Sequence, residues 1–188
     1  DFAKDVAIDS SDLKAWSNGG KTKKADPDAG WVVKMDAVGR KKFVWGFKLH
    51  MLCDMTYELP VAISVSAGNV NDLRRASNLL SEARFTNGKF HPRCVVADAG
   101  YSSDKLRLLI RRQYKGRDVV KANKSHKKAA SVVETPEFVA AYNRRTSVER
   151  LFGRLKTHRR LNNITVRRIR KVTAHCLLSV IVTQALAL

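Results

Sequence analysis

Between Lys42 and Asp54 the chain places Phe43, Trp45, Phe47, Leu49, Met51 and Cys53 on one side of an extended backbone and Lys48, His50 and Asp54 on the other. A period of two over so many residues is that of a half-buried β-strand and excludes a helix there. The segment MTYELP turns the chain, and Val61, Ile63 and Val65 continue as a hairpin partner. An earlier run, Val6 to Asp9, reads as a short strand with Val6 and Ile8 on one face and Asp9 on the other, so three antiparallel strands follow one another. His50 and Asp54 share a polar face and could join a metal site. With no third ligand near them in sequence, a solvent-facing or structural role is the better reading.

The rest of the chain alternates strand and helix. Asn69 to Asp72 offers Asx caps to a helix marked by Leu73, Ala76, Leu79, Leu80 and Ala83. Arg93 to Gly100, RCVVADAG, is an apolar strand that stops at Asp98, and SSDKLRLLIRRQ after it is a capped helix. Gly116 to Ala122 is another short strand, followed by a basic loop, NKSHKK. A long helical region is expected from Glu134 to Arg160 and a last helix from Thr165 to Leu188. Residues 18–30, rich in Gly, Lys and Asp, are expected to form a flexible surface loop.

Charge narrows the partner. Among 188 residues, 36 Lys and Arg face 17 Asp and Glu, a formal net charge of +19, while 44% hydrophobic content is ordinary for a globular domain. So basic a balance points first to nucleic acid. The rival, a membrane surface, is set aside because the longest apolar candidate, near Cys176 to Leu188, is too short to span and reads as a core helix. Cys53, Cys94 and Cys176 are odd in number and far apart, which suggests neither a disulfide framework nor a zinc knuckle. The chain opens at Asp1 without an initiator Met and is expected to be a fragment of a longer protein.

The basic character concentrates in one stretch. From Tyr142 to Lys171 there are eleven Lys or Arg and one acid, Glu149. Val148, Leu151, Phe152 and Leu155 form an apolar stripe, so Tyr142 to Lys156 reads as one amphipathic helix with Tyr142, Arg145, Glu149 and Lys156 along a neighbouring face. A carboxylate among phosphate binders suits an anionic polymer and a held cation. A solvated basic helix with one ion pair accounts for the same residues. Asp9 and Asp98 each close a buried strand, where ligands of α/β sheets sit, although either alone is also a turn former. Side by side, two such carboxylates imply a bound cation, and oxygen-only ligands favour Mg²⁺ or Mn²⁺. With Glu149 they suffice for two ions that clamp the oxygens of a phosphoryl transfer.

Taken in order, IDSSDLKA at Asp9, GFKLH at Gly46 to His50, ELP and AGNVND between Glu58 and Asp72, VVADAGYSS at Val95 to Ser103, and the set Tyr142, Arg145, Glu149, Lys156 resemble the catalytic domain of DDE transposases of bacterial insertion sequences. The resemblance covers nearly the whole chain. It implies a ribonuclease-H-like α/β fold, a mixed sheet flanked by helices, with residues 1–188 as a single catalytic domain lacking an N-terminal DNA-recognition domain. It implies Asp9, Asp98 and Glu149 as the catalytic and metal-binding triad for two Mg²⁺ or Mn²⁺ ions. Tyr142, Arg145 and Lys156 would hold DNA phosphates. The implied partners are double-stranded DNA, both transposon ends and target, and a second copy in a synaptic complex, in the bacterial cytoplasm at the nucleoid. About 50 residues separate Asp98 from Glu149, so the β-rich insertion that some relatives carry there is missing. A catalytically inert DNA-binding remnant is the alternative, and a resolvase or repair nuclease on the same fold a third reading.

Overall fold

The computed structural model describes residues 1–19, 25–36, 38–123 and 132–187. Strands β1 (Asp5–Lys14), β2 (Gly30–Met35), β3 (Lys41–Asp54), β4 (Pro60–Ala67), β5 (Cys94–Ala97) and β6 (Arg117–Val120) form one mixed sheet in the order β2-β3-β1-β5-β6, with β4 also paired to β3. The helices are α1 (Leu73–Thr86), α2 (Asp104–Gln113), α3 (Pro136–Asn143), α4 (Thr146–His158) and α5 (Ile169–Ala185). The chain divides into two compact units. One comprises Asp1–Asp9, Met51–Ile63 and Asp72–Leu151, and the other Ser10–His50, Ser64–Asn71 and Phe152–Leu188.

The first unit is a parallel α/β layer. β1 pairs with β5 from Asp5 opposite Cys94 to Ile8 opposite Ala97, and β5 pairs with β6 in the same sense. Alternation sends Val6 and Ile8 into a core with Leu79 and Leu80 of α1 and Leu106 and Ile110 of α2. The α1 entry departs from expectation, since Asp72 makes no side-chain capping bond. α2 begins as expected, with Ser103 Oγ accepting from Leu106 N at 3.3 Å. Asp5 is buried at the start of β1. It accepts from Arg93 at 3.0 and 2.5 Å and from Arg144 at 2.9 Å. The Arg93 hydrogen bonds hold its carboxyl below the usual carboxylate range against the opposing effect of burial, and Arg144 assists.

The expected single helix from Tyr142 to Lys156 is two. α3 ends at Asn143 and α4 begins at Thr146. At the junction the backbone closes tight turns, Arg144 N to Ala141 O, Arg145 N to Tyr142 O and Ser147 N to Arg144 O, and Thr146 Oγ1 donates to Asn143 O at 3.2 Å. Side-chain competition of this kind interrupts a helical ladder, and the break frees Arg144 and Arg145 to turn toward β1. Beyond it the expected stripe holds: Val148, Leu151, Phe152 and Leu155 are buried.

In the second unit, β2 and β3 make an antiparallel ribbon from Gly30 opposite Gly46 to Met35 opposite Lys41. Of the expected loop over residues 18–30, residues 20–24 lie outside the described residues. Within the remainder, Asp26 accepts from Arg168 N at 3.3 Å and Asp28 from Ile169 N at 3.0 Å, which sets two carboxylates at the start of α5. Most of the basic loop NKSHKK is also outside the described residues. β3 is buried on both faces from Leu49 to Asp54, so its polar face does not meet solvent as alternation suggested. His50 bonds to Ser66 Oγ at 2.8 Å across to β4. In the first unit Asp54 accepts from the backbone of Ala3, Thr56 and Tyr57. Both are therefore structural. All three cysteines are buried and none forms a disulfide among the described residues.

Gly46 marks the closest approach in the second unit, because a Cβ built there would lie 2.0 Å from Leu13 O and 2.8 Å from Ala15 N. Both obstacles are backbone, so Gly46→Ala must displace β3 from β1. We expect it to cost about 1–3 kcal/mol of stability, read from urea unfolding; an unchanged midpoint would show that the strands do not abut as described.

Candidate active site

The parallel register from Asp5 opposite Cys94 to Ile8 opposite Ala97 makes Asp9 and Asp98 the next residues on two hydrogen-bonded neighbours. No flexible segment intervenes between either residue and its pairing. Asp98 follows the last residue of β5 and caps a single 3-10 turn, Ala99–Tyr101, with Oδ1 accepting from Gly100 N at 2.9 Å. A Cβ at position 100 would come within 3.0 Å of that oxygen, so the glycine leaves the carboxylate room. Oδ2 makes no hydrogen bond among the described residues. β1 runs on past Asp9 to Lys14, where a strand ending at Asp9 was expected, and Asp9 is a mid-strand residue only partly covered.

The third acid arrives through Arg145. From the α3–α4 junction its guanidinium donates to Asp9 Oδ2 at 2.8 Å and to Glu149 Oε1, one turn into α4, at 2.5 Å. The Arg145 side chain is 18% exposed and that of Glu149 52%. Burial works to lower the Arg145 pKa, but the charges of Asp9, Tyr142, Glu149 and Asp98 outweigh it and raise it. One fixed positive charge thus stands in the field of all three acids. Arg144, its neighbour, grips Asp5 four residues before Asp9, so two successive arginines fasten the junction to the same strand.

Tyr142 lies at the end of α3 with its ring stacked on Phe138, centroids 6.2 Å apart. Lys121 Nζ lies 4.3 Å and Arg145 Cζ 5.7 Å from the Tyr142 ring centroid, both as cation–π partners. Five of the six expected site residues, Asp9, Asp98, Tyr142, Arg145 and Glu149, therefore belong to the first unit. Lys156 lies two turns after Glu149 on α4 and belongs to the second. Burial lowers its pKa, Asp12 opposes that effect, and Lys34 adds to it. Asp5, Arg144 and Lys121 were not singled out from sequence. Arg144 was one cation in a basic run, and Lys121 carries no local signal at all.

The donor chemistry is that of a hard-cation site, three carboxylates and no nitrogen or sulfur ligand. As placed, no three His, Cys, Asp or Glu side chains among the described residues stand close enough to hold a metal ion together. The positive charge between Asp9 and Glu149 is supplied by Arg145. The acids fit a divalent ion by donor type and charge, provided the guanidinium yields its place.

The profile of the transposase DDE domain family matches residues 2–184. A Brucella ovis protein assigned as the transposase for insertion sequence element IS6501 is 34% identical over 114 residues, 61% of this chain and 78% of the relative. Among solved structures, the piggyBac transposase synaptic complex with hairpin DNA superposes with a TM-score of 0.57 over 93% of this chain at 13% identity. That likeness supports the ribonuclease-H-like sheet, and the chain spans 44% of the length of that structure.

If Arg145 neutralises the acids, Arg145→Ala leaves a partly covered Asp9 unpaired. We expect a loss of roughly 1–3 kcal/mol in the metal-free protein, most of it from Asp9 because Glu149 is solvent-screened, and partial recovery on adding Mg²⁺. Thermal melts with and without the ion read both effects. A loss that Mg²⁺ does not touch would assign Arg145 to packing alone.

Proposed function

Because this chain belongs to the transposase DDE domain family, we propose that it cleaves transposon-end DNA in a metal-dependent reaction and transfers the freed strand to target DNA. The observation that carries the proposal is the pairing register that sets Asp9 beside Asp98, with Glu149 joined to Asp9 through one guanidinium. Three acids on a chain of net charge +19 suit chemistry on a polyanion.

In this reading Asp9, Asp98 and Glu149 hold two Mg²⁺ or Mn²⁺ ions. Such ions, if bound there, would supply Lewis-acid activation of a nucleophile and charge stabilisation at the leaving oxygen. The chain's own residues orient the DNA. Arg145, once displaced from Asp9, has a planar fork suited to phosphate oxygens, and Lys156 adds a point charge further along α4. Lys121 and Arg145 flank the Tyr142 ring, so Tyr142 fixes cations at the edge of the acidic cluster. Water attacks the scissile phosphorus first, and the 3′ hydroxyl so released attacks target DNA in the second step; each transfer exchanges one P–O bond for another.

The partners follow from the chemistry: double-stranded DNA as end and target, and a second copy of the chain to hold two ends together. No helix among the described residues is long and apolar enough to cross a membrane, and a DNA substrate places the protein in the cytoplasm at the nucleoid. Against the alternative of an inert remnant, all three acids are present in the chain.

Glu149→Gln separates binding from chemistry. Removing a negative charge leaves DNA affinity equal or higher, while Mg²⁺-dependent nicking of DNA carrying the flanking repeats should collapse. Lys156→Ala should lower the slope of log affinity against log salt by about one. A Glu149→Gln protein that still nicks at near the parent rate would remove Glu149 from the site, and a parent that never nicks would return the reading to an inert DNA-binding remnant.

A further inference from the structure

The turn between β3 and β4 carries two polar side chains, Thr56 and Glu58, that both reach the segment bearing Glu149. Asp54 N donates to Leu59 O at 2.9 Å, and the Asp54 carboxylate accepts from Thr56 N and Tyr57 N at 2.8 and 2.6 Å, so the turn is closed from within. Met55 N donates to Asp5 O at 2.8 Å, which fastens the turn to β1. Glu58 takes a φ of 53°, in the left-handed region. A residue with a Cβ enters that region at a cost and stays there where its surroundings over-determine it. From this position its side chain, 19% exposed, meets α4.

Its partner there is Arg150, the residue after Glu149. Arg150 Nε donates to Glu58 Oε1 at 2.6 Å, and Nη2 pairs with the same oxygen. Nη1 donates to Thr146 Oγ1 at 3.0 Å, and that hydroxyl donates to Asn143 O. One guanidinium therefore ties the turn to the first residue of α4 and, through it, to the α3–α4 break. Thr56 Oγ1 accepts from Arg144 Nη2 at 3.2 Å. The turn thus engages the residue before Arg145 and the residue after Glu149. Successive helix positions lie about 100° apart, so holding Arg150 against the turn sets the direction in which Glu149 points. The other hold on Glu149 is Arg145, which must leave if an ion takes its place. Arg150 is 57% exposed, and an ion pair so open to water adds little to folding, which leaves direction as what the pair supplies.

We propose that Glu58 is a positioning residue: through Arg150 it keeps the Glu149 carboxylate directed at Asp9 and Asp98 once Arg145 has been displaced. The inference rests on the reading of Glu149 as a ligand of a divalent ion.

The test follows Mn²⁺ binding to the whole chain by electron paramagnetic resonance, without DNA, for Glu58→Gln and Arg150→Ala, each made in the parent and in Glu149→Gln. In the parent each change should weaken Mn²⁺ binding by on the order of tenfold, as loss of a group that orients a metal ligand does. In Glu149→Gln neither should weaken it further. The sign for Arg150→Ala is decisive, because removing a cation strengthens cation binding if charge alone acts. Arg150→Lys keeps the charge but cannot bridge Glu58 and Thr146 with one planar fork, so its affinity should fall between those of the parent and Arg150→Ala. Unchanged affinity in Glu58→Gln and Arg150→Ala, tighter binding in Arg150→Ala, or losses of the same size in Glu149→Gln would each overturn the positioning role while leaving Glu149 in the site. If Glu149→Gln itself binds Mn²⁺ as the parent does, the metal-site reading falls, and the positioning role falls with it.

Discussion

The arrangement of the candidate site depends on one charge. Arg145 is bonded at once to Asp9 and to Glu149 and feels Asp98. Remove it in thought and Asp9, midway along β1, and Asp98, just past β5, are left as neighbouring negative charges without it. Repulsion between partly covered carboxylates scales steeply as solvent is excluded. The fold carries one cation of its own there, Arg145. The break between α3 and α4 directs that side chain at β1.

The same site has a rigid half and an adjustable half. Asp9 and Asp98 are fixed by a parallel ladder, with Val6, Ile8, Val95 and Ala97 in the core beneath them. Glu149 sits on α4, is half exposed, and reaches the cluster only through a guanidinium. An acid held this way can shift its partner from an arginine to an ion without disturbing the packed stripe of Val148, Leu151 and Leu155. The Arg144 grip on Asp5 supplies a second anchor that persists when Arg145 moves.

Much of this was legible in sequence where the signal is local. The apolar run into Asp98, the alternation through β3 and the stripe on α4 each follow from side-chain periodicity, and each element formed. What was not legible depends on partners distant in sequence. The α3–α4 junction read as helix because its residues tolerate one; the pairing of Arg144 with Asp5 and of Arg145 with Asp9, more than 130 positions away, leaves no local periodic signal. For His50 and Asp54 the solvent-facing and structural readings stayed side by side, because alternation cannot tell a polar face covered by a neighbouring strand from one covered by water. β2 was not anticipated, since Gly30–Met35 is short and acquires its strand character from pairing with β3. Asp26 and Asp28 resembled loop acids until the start of α5 was found beside them.

The central claim is that Asp9, Asp98 and Glu149 act as one site in which Arg145 and a divalent ion compete. Titrating Mn²⁺ into the protein and following the free ion by electron paramagnetic resonance tests it without any DNA. The account predicts that Asp98→Asn and Glu149→Gln each weaken Mn²⁺ binding, whereas Arg145→Ala strengthens it. Mn²⁺ affinity that is the same in Asp98→Asn as in the parent, or that falls in Arg145→Ala, would contradict it.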